Sequence, residues 1–241
     1  MSFTQSLIER TELFNKQIKE LSFTYDGYVY NPLDYAWDMH KSYLENYVRP
    51  SAEVLLLGMN PGPYGMMQTG VPFGEVNAVR DYLKLDLPVE RPKVEHPCRP
   101  VLGMAVTRSE VSGKRLWGLM AQRWANAGDF FDKHAVMNYC PLGFLDKGKT
   151  AKNFTPDHLE AKERLALEGL CDAYLKDIID IIKPKALIGV GKYALAKLQA
   201  VNDDSSRIVD WIIHPSPGNP MANNDWPGKT TEKMKVLGLW N

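Results

Sequence analysis

The sequence predicts an α/β protein: a three-layer α/β/α sandwich around a four-stranded parallel sheet. Two observations carry that expectation. Helical and strand patterns alternate along the chain, and right-handed crossovers between parallel strands place the helices on both faces of the sheet. The first strand pattern is a short unbroken apolar run, Val54-Leu55-Leu56-Leu57, of the kind that suits a sheet buried on both faces. The chain of 241 residues fits one large domain. One domain over 1–241 is therefore expected, with N-terminal helices over about 3–48 packed on the α/β core.

Each element has a local reason. Phe3, Leu7, Ile8, Leu13, Phe14, Ile18 and Leu21 recur at near-helical spacing and predict an amphipathic opening helix. Asn31-Pro32 interrupts the chain, and a second helix is expected from Leu33 to Val48. Glu53–Leu57 reads as the first strand. After it comes GMNPGPYGMMQTGVPFGEV, residues 58–76, whose prolines lack donors and whose glycines free the backbone. That stretch predicts a long non-helical loop. A short helix is expected over Val76–Leu83, then irregular chain over 88–112. Lys114–Ala127 has helical spacing, and Ala135–Asn138 reads as the second strand. Residues 145–157 read as a polar loop. Thr155-Pro156 is a helix start, with Thr155 as cap and Pro156 in the first helical position, and the helix runs to Ile182. Ala186–Val190 is the third strand, Lys192–Ala200 a helix, Val209–Ile213 the fourth strand and Lys229–Leu237 the last helix.

Composition narrows the function. The chain is 44% hydrophobic and 24% charged, enough to fill a core, which excludes a disordered chain. Its formal net charge is zero, so any grip on nucleic acid must come from local cations. Cys98, Cys140 and Cys171 lie far apart and form no CxxC, so no metal ligand set and no cofactor are expected. Charges every few residues at the N-terminus argue against a secretory signal. No run approaches the ~20 apolar residues of a membrane span.

Ligands of such sheets bind beyond the carboxyl ends of the strands. Three of the four strand ends carry unusual groups: Asn60 with the loop to Phe73, then Asn138, then His214 with its proline-rich loop. There is no serine–histidine–acid set and no GxxxxGK[ST]. A flat ring, two carboxamides and an imidazole suit a planar heterocycle. Phe73 can stack on its face, Asn138 can pair with an imide edge, and His214 can donate to an oxygen that gains charge. Asn60 can hold a water but is a poor base.

Several stretches resemble the single-strand-selective monofunctional branch of the uracil-DNA glycosylase superfamily. They are GMNPGPYGMMQTGVPFGEV, NYCPL at 138–142 and HPSPGNPMAN at 214–223, supported by NPLDYAW at 31–37, EHPCRPVLG at 95–103 and SEVSGKRLWG at 109–118. The likeness spans about residues 30–237. It implies a uracil-DNA glycosylase-like sandwich and a hydrolase of base excision repair. Uracil, or uracil oxidised at C5 such as 5-hydroxymethyluracil, would be flipped from single- or double-stranded DNA and its N-glycosidic bond hydrolysed. By the same resemblance Asn60 places the attacking water and His214 stabilises the departing uracil at O2. Asn138 reads the base and Phe73 stacks on it. Gly62 and Met66 form the wall near C5. Pro215, Ser216, Pro217, Gly218, Asn219, Pro220 and Met221 form a DNA-binding wedge. Gly218 stands where the family pattern has an arginine, Met67 where it has alanine and Tyr64 where it has phenylalanine.

Lys147, Lys149, Lys152 and Lys229 are candidate phosphate contacts, Lys149 foremost. The expected partner is DNA containing uracil or oxidised uracil, met by a monomer, with no membrane. The expected compartment is intracellular: the cytoplasm of a bacterium, or the nucleus of a eukaryote. Two other readings stay open. One is a glycosylase for deaminated purines such as xanthine or hypoxanthine, which also present an amide edge. The other is a non-catalytic module that binds damaged DNA.

Overall fold

The computed structural model describes residues 2–241. Helix α1 (Phe3–Lys19) starts where the Ser2 side chain accepts from Gln5 N, and it turns Leu7, Phe14 and Ile18 inward. Strand β1 (Gly27–Tyr30) follows. The helix expected over 33–48 is two: a single turn, α2 (Pro32–Tyr35), capped by Asn31, and α3 (Trp37–Tyr47). They part at Ala36, which packs against Gly70; a Cβ on that glycine would lie 2.8 Å from the Ala36 carbonyl oxygen.

Strand β2 (Val54–Gly58) is wholly buried. The glycine-rich loop after it holds one helical turn, α4 (Met66–Thr69), where none is expected. Pro61, Pro63 and Pro72 fall outside that turn, and Gly70 ends it at φ 71°. Ala78–Tyr82 is a π-helical turn. Helix α5 (Val111–Arg123) starts ahead of the expected Lys114, because Glu110 caps it through Ser112 N and Gly113 N. A short α6 (Ala127–Phe131) leads into β3 (His134–Asn138).

Strands β4 (Gly143–Asp146) and β5 (Asn153–Phe154) occupy part of the predicted polar loop. With β1 they form a three-stranded antiparallel sheet, order β1-β4-β5, that is not foreseen from the sequence. Helix α7 (Ala161–Ile182) begins later than Thr155. Pro156–His158 is a separate 3-10 turn, and the Thr155 hydroxyl bonds to Asp157 rather than capping a backbone N–H. Strand β6 (Ala186–Val190), helix α8 (Lys192–Val201), strand β7 (Ile208–Ile212) and helix α9 (Trp226–Val236) complete the chain.

The main sheet has the order β3-β2-β6-β7 and every neighbouring pair is parallel. Leu56 in its middle pairs with Val136 on one side and Ile188 on the other. The path goes from β2 outward to β3, then back over β2 to β6 and on to β7. Right-handed crossovers therefore put α5 and α6 on one face and α7 and α8 on the other. Helix α9 packs on α5, and α1 packs on α7. This is the three-layer α/β/α sandwich. Among the described residues no helix is long and apolar enough to cross a membrane.

Candidate active site

The carboxyl ends of β2, β3 and β7 open onto a cavity of about 330 Å³. Asn60, Gly62, Phe73, Asn138 and His214 all line it, although they lie up to 154 positions apart in the chain (60 to 214). The parallel topology brings them to one rim.

Asn60 sits two residues beyond β2. Its Nδ2 donates to Phe154 O at 3.2 Å and to Leu142 O at 3.5 Å. Both N–H groups are thus turned into the protein. Nothing among the described residues donates to Oδ1, which remains as an acceptor. An amide held this way can orient a water and cannot deprotonate it.

Asn138 ends β3. Its Nδ2 lies 3.1 Å from Met66 Sδ. A thioether is a weak acceptor, so the amide loses little when it exchanges that sulfur for a ligand oxygen. Gly58 makes room for this arrangement. A Cβ there would fall 2.2 Å from Asn138 Oδ1 and 2.6 Å from the Phe73 ring. Phe73 itself has φ 54°, a left-handed conformation costly for an aromatic residue. Two contacts hold it: Glu75 N donates to Phe73 O at 2.7 Å, and the bare Cα of Gly113 lets α5 close over that carbonyl. The Phe73 ring centre lies 6.2 Å from that of His214, tilted by 42°.

His214 follows β7. Its Nδ1 accepts from Ser216 N at 3.1 Å. The neutral ring therefore carries its proton on Nε2. Burial pulls the imidazole down to about 4, so the ring is neutral around pH 7. The result is an uncharged imidazole with an N–H to donate. Gly191, at φ 99°, lets the end of β6 come close to it; a Cβ there would sit 3.1 Å from His214 Cβ.

Six residues of the cavity are absent from the expected site: Met59, Pro63, Glu110, Ser112, Asn153 and Thr155. Glu110 caps α5 and faces the glycine loop, where a Cβ on Gly62 or Gly65 would lie 3.2 Å or 3.0 Å from it. Burial, and to a lesser degree the negative charge of Glu75, raises its carboxyl above the usual range. A helix between two parallel strands starts at the carboxyl rim, so its N-cap is a site position, and that was the available signal. Asn153 and Thr155 come from the small sheet and the turn after it. Asn153 Nδ2 donates to Pro61 O at 3.0 Å and fastens the loop to β5.

Other expected residues lie elsewhere. Met66 is buried behind Asn138 and does not line the cavity. Met67 is buried against Gly143, away from any mouth. In the 215–221 segment, Ser216 and Pro217 reach the cavity. Pro215 is buried, whereas Gly218 and Pro220 are exposed and Met221 is 55% exposed. Asn219 ties the segment together: its Nδ2 donates to His214 O at 3.3 Å and its Oδ1 accepts from Met221 N at 3.1 Å. Arg115 donates to Pro215 O at 2.9 Å and Asn223 to Pro217 O at 2.9 Å. Lys149 is exposed on the β4–β5 turn, outside the cavity lining. Lys229 is bound to Met221 O and Lys147 to Asp26. Among the described residues no group of three His, Cys, Asp or Glu side chains is placed to hold a metal.

Comparison with known proteins adds independent findings. Residues 45–236 match the family model described as the uracil DNA glycosylase superfamily. Over 241 residues the chain is 41% identical to the single-strand selective monofunctional uracil DNA glycosylase of Bos taurus, covering 99% of this chain and 88% of that one. The protein of the same description from Mus musculus is also 41% identical, with 99% and 86% covered. The crystal structure of wild-type SMUG2 from Pedobacter heparinus aligns with a TM-score of 0.68 over 99% of both chains. Its identity is 20%, and the likeness speaks for the fold.

Proposed function

The chain belongs to the uracil DNA glycosylase superfamily, in its single-strand selective monofunctional family, and from that premise we propose how its cavity removes a base from DNA. The protein is a uracil-DNA glycosylase, a hydrolase of the N-glycosidic bond that works in DNA repair. The extruded uracil stacks on Phe73 and pairs its imide edge with Asn138. As the glycosidic bond breaks, its electron pair goes to N1 of the base. The Nε2–H of His214 donates to O2 as charge gathers there. A water held on Asn60 Oδ1 adds to C1′, and its proton passes through solvent to the uracil anion, leaving free base and an abasic sugar. The transition state is already cation-like at the sugar, so a weak water activator suffices.

The observation that carries this reading is the His214 ring. Ser216 N–H occupies Nδ1 and burial keeps the ring neutral, so Nε2–H is a donor that adds no net charge to the cavity. A neutral donor interacts weakly with uncharged substrate and strongly with the anion that forms, which is the selectivity catalysis needs.

The substrate range extends to uracil with an oxidised C5 substituent, such as 5-hydroxymethyluracil, in single- or double-stranded DNA. Support comes from Gly62, which lines the cavity without a side chain. The 215–221 segment fills the gap left in the stack, and the chain works as a monomer and one domain. The test uses oligonucleotides carrying uracil, 5-hydroxymethyluracil, xanthine or hypoxanthine, each single-stranded and paired, in excess EDTA and followed by alkali. Cleavage at uracil and at 5-hydroxymethyluracil is expected, undiminished by the chelator. Intact uracil strands would contradict the activity, and cleavage confined to the purines would shift the substrate class.

A further inference from the structure

We propose that Arg108, held on Tyr64 beside Arg99, grips a phosphodiester of the DNA strand next to the extruded nucleotide. The inference rests on the function proposed above. It starts from charge. The chain is formally neutral, and ten of its 29 lysines and arginines are held in ion pairs. Arg99, Arg108, Lys149 and Lys152 take part in none of them among the described residues. Unpaired cations are the groups free to replace the counterions of a phosphate backbone.

Two of them meet on one ring. The Arg108 guanidinium carbon lies 4.4 Å from the Tyr64 ring centre and that of Arg99 lies 5.0 Å from it, both within cation–π range. Arg108 Nη1 donates to the Tyr64 hydroxyl at 3.0 Å. Arg99 donates to Cys98 O at 2.7 Å and to Thr150 O at 2.6 Å, which ties the β4–β5 turn, and so Lys149, to the same place. Lys152 Nζ lies 5.0 Å from the Phe154 ring centre, and Phe154 O is one of the two carbonyls that fix Asn60.

The position follows from chain neighbours. Tyr64 comes directly after Pro63, and Arg108 comes two residues before Glu110; Pro63 and Glu110 both line the cavity. Two residues span roughly 7 Å at most, about the distance between successive phosphates of a strand.

The two arginines have different duties. The two Nη groups of Arg99 are taken by backbone carbonyls, so it supplies a fixed charge. Arg108 is exposed, and its other N–H groups have no partner among the described residues. Held on an aromatic ring and a hydroxyl, its planar fork is pre-organised for a phosphate. The Tyr64 hydroxyl is what anchors Arg108. Because the grip needs no second strand, it serves single-stranded substrate as well as duplex.

The test measures binding to a single strand carrying one abasic analogue, over a range of salt, for the wild-type protein, Arg108→Gln and Lys183→Gln. Lys183 is an exposed lysine just ahead of β6, at the amino rim far from the cavity. Arg108→Gln is expected to lower the slope of log affinity against log salt by about 0.7, the loss of one phosphate contact on a single strand. Lys183→Gln should leave the slope near the wild-type value. A neutral methylphosphonate placed next to the abasic site should weaken the wild type and leave Arg108→Gln unmoved. An unchanged slope in Arg108→Gln, or an equal fall in Lys183→Gln, would overturn the grip. Uracil release by the wild type on the same strands keeps the two ideas apart. Release with an unchanged Arg108→Gln slope removes only the grip, and no release removes the underlying function as well.

Discussion

A methyl group at residue 58 would collide with two of the groups assigned to base recognition. It would lie 2.2 Å from Asn138 Oδ1 and 2.6 Å from the Phe73 ring. Both side chains must move by about an ångström, and a misplacement of that size costs roughly a hundredfold in rate. Gly58→Ala is therefore expected to cut single-turnover uracil release by that order while the protein stays folded. A wild-type rate would mean that neither side chain needs its present position. Phe73 requires a gentler change. It is 8% exposed and belongs to the main core, so Phe73→Ala would harm the fold and the site together. Phe73→Leu keeps the apolar bulk and removes the flat face. Stacking of a base on an aromatic ring is worth ~1–3 kcal/mol, so release at limiting DNA should fall about tenfold with a small change in Tm. A large drop in Tm with the rate preserved would make Phe73 a core residue alone.

Among the elements, the loop after β7 is the most open to engineering. Its inner side is stapled by Arg115, Asn219 and Asn223, and Pro215, Pro217 and Pro220 restrict its backbone. Less ordering entropy is then lost when DNA arrives. Its tip is bare. A Cβ on Gly218 would meet only Ser216 Oγ, at 3.5 Å. Gly218→Arg should fit there, raise duplex affinity and steepen its salt slope by about 0.9, one neutralised phosphate. On single strands, with no stacked gap to fill, the gain should be much smaller. Equal gains on both substrates would deny the loop its role as a wedge. Titrations on both substrates at several salt concentrations decide the matter.

For the molecule as a whole, the buried histidines set an acid limit. His40 and His134 are both pulled down to about 4, chiefly by burial. His134 Nε2 accepts from Trp240 Nε1 at 2.9 Å, a bond that a protonated ring cannot make. Between pH 6.5 and about 4 the unfolded chain takes up protons on these rings that the folded chain refuses. Stability therefore falls as pH is lowered through that window, by roughly 3 kcal/mol for each ring. Denaturant unfolding at pH 7, 6, 5 and 4 should show the decline, and His134→Gln should remove that ring's share of it. A flat profile in the wild type would contradict these burials. At this scale the fold was largely legible. β2 and β6 announce themselves as unbroken apolar runs, β3 and β7 as apolar stretches interrupted or ended by a polar residue, and their alternation with helices dictates the layers. The small antiparallel sheet was not legible, because β5 has two residues and β4 opens the polar stretch. In the site, Asn60, Asn138 and His214 were legible as polar groups at strand ends. Gly58, Glu110 and the Arg108–Tyr64 pair were not, since their meaning lies in neighbours that only the fold brings near.

The central claim is that Asn60 and His214 act together on one bond in this cavity. Single-turnover release of uracil from a single strand, measured for the wild type, Asn60→Ala and His214→Ala alongside their affinity for abasic DNA, tests it most directly. Loss of one donor to developing charge costs about 3 kcal/mol, a hundredfold or more. His214→Ala should therefore slow by at least that factor, and Asn60→Ala, which loses the acceptor that holds the water, should slow as well, while the affinity of each for abasic DNA changes little. A folded His214→Ala protein that releases uracil at the wild-type rate would contradict the account.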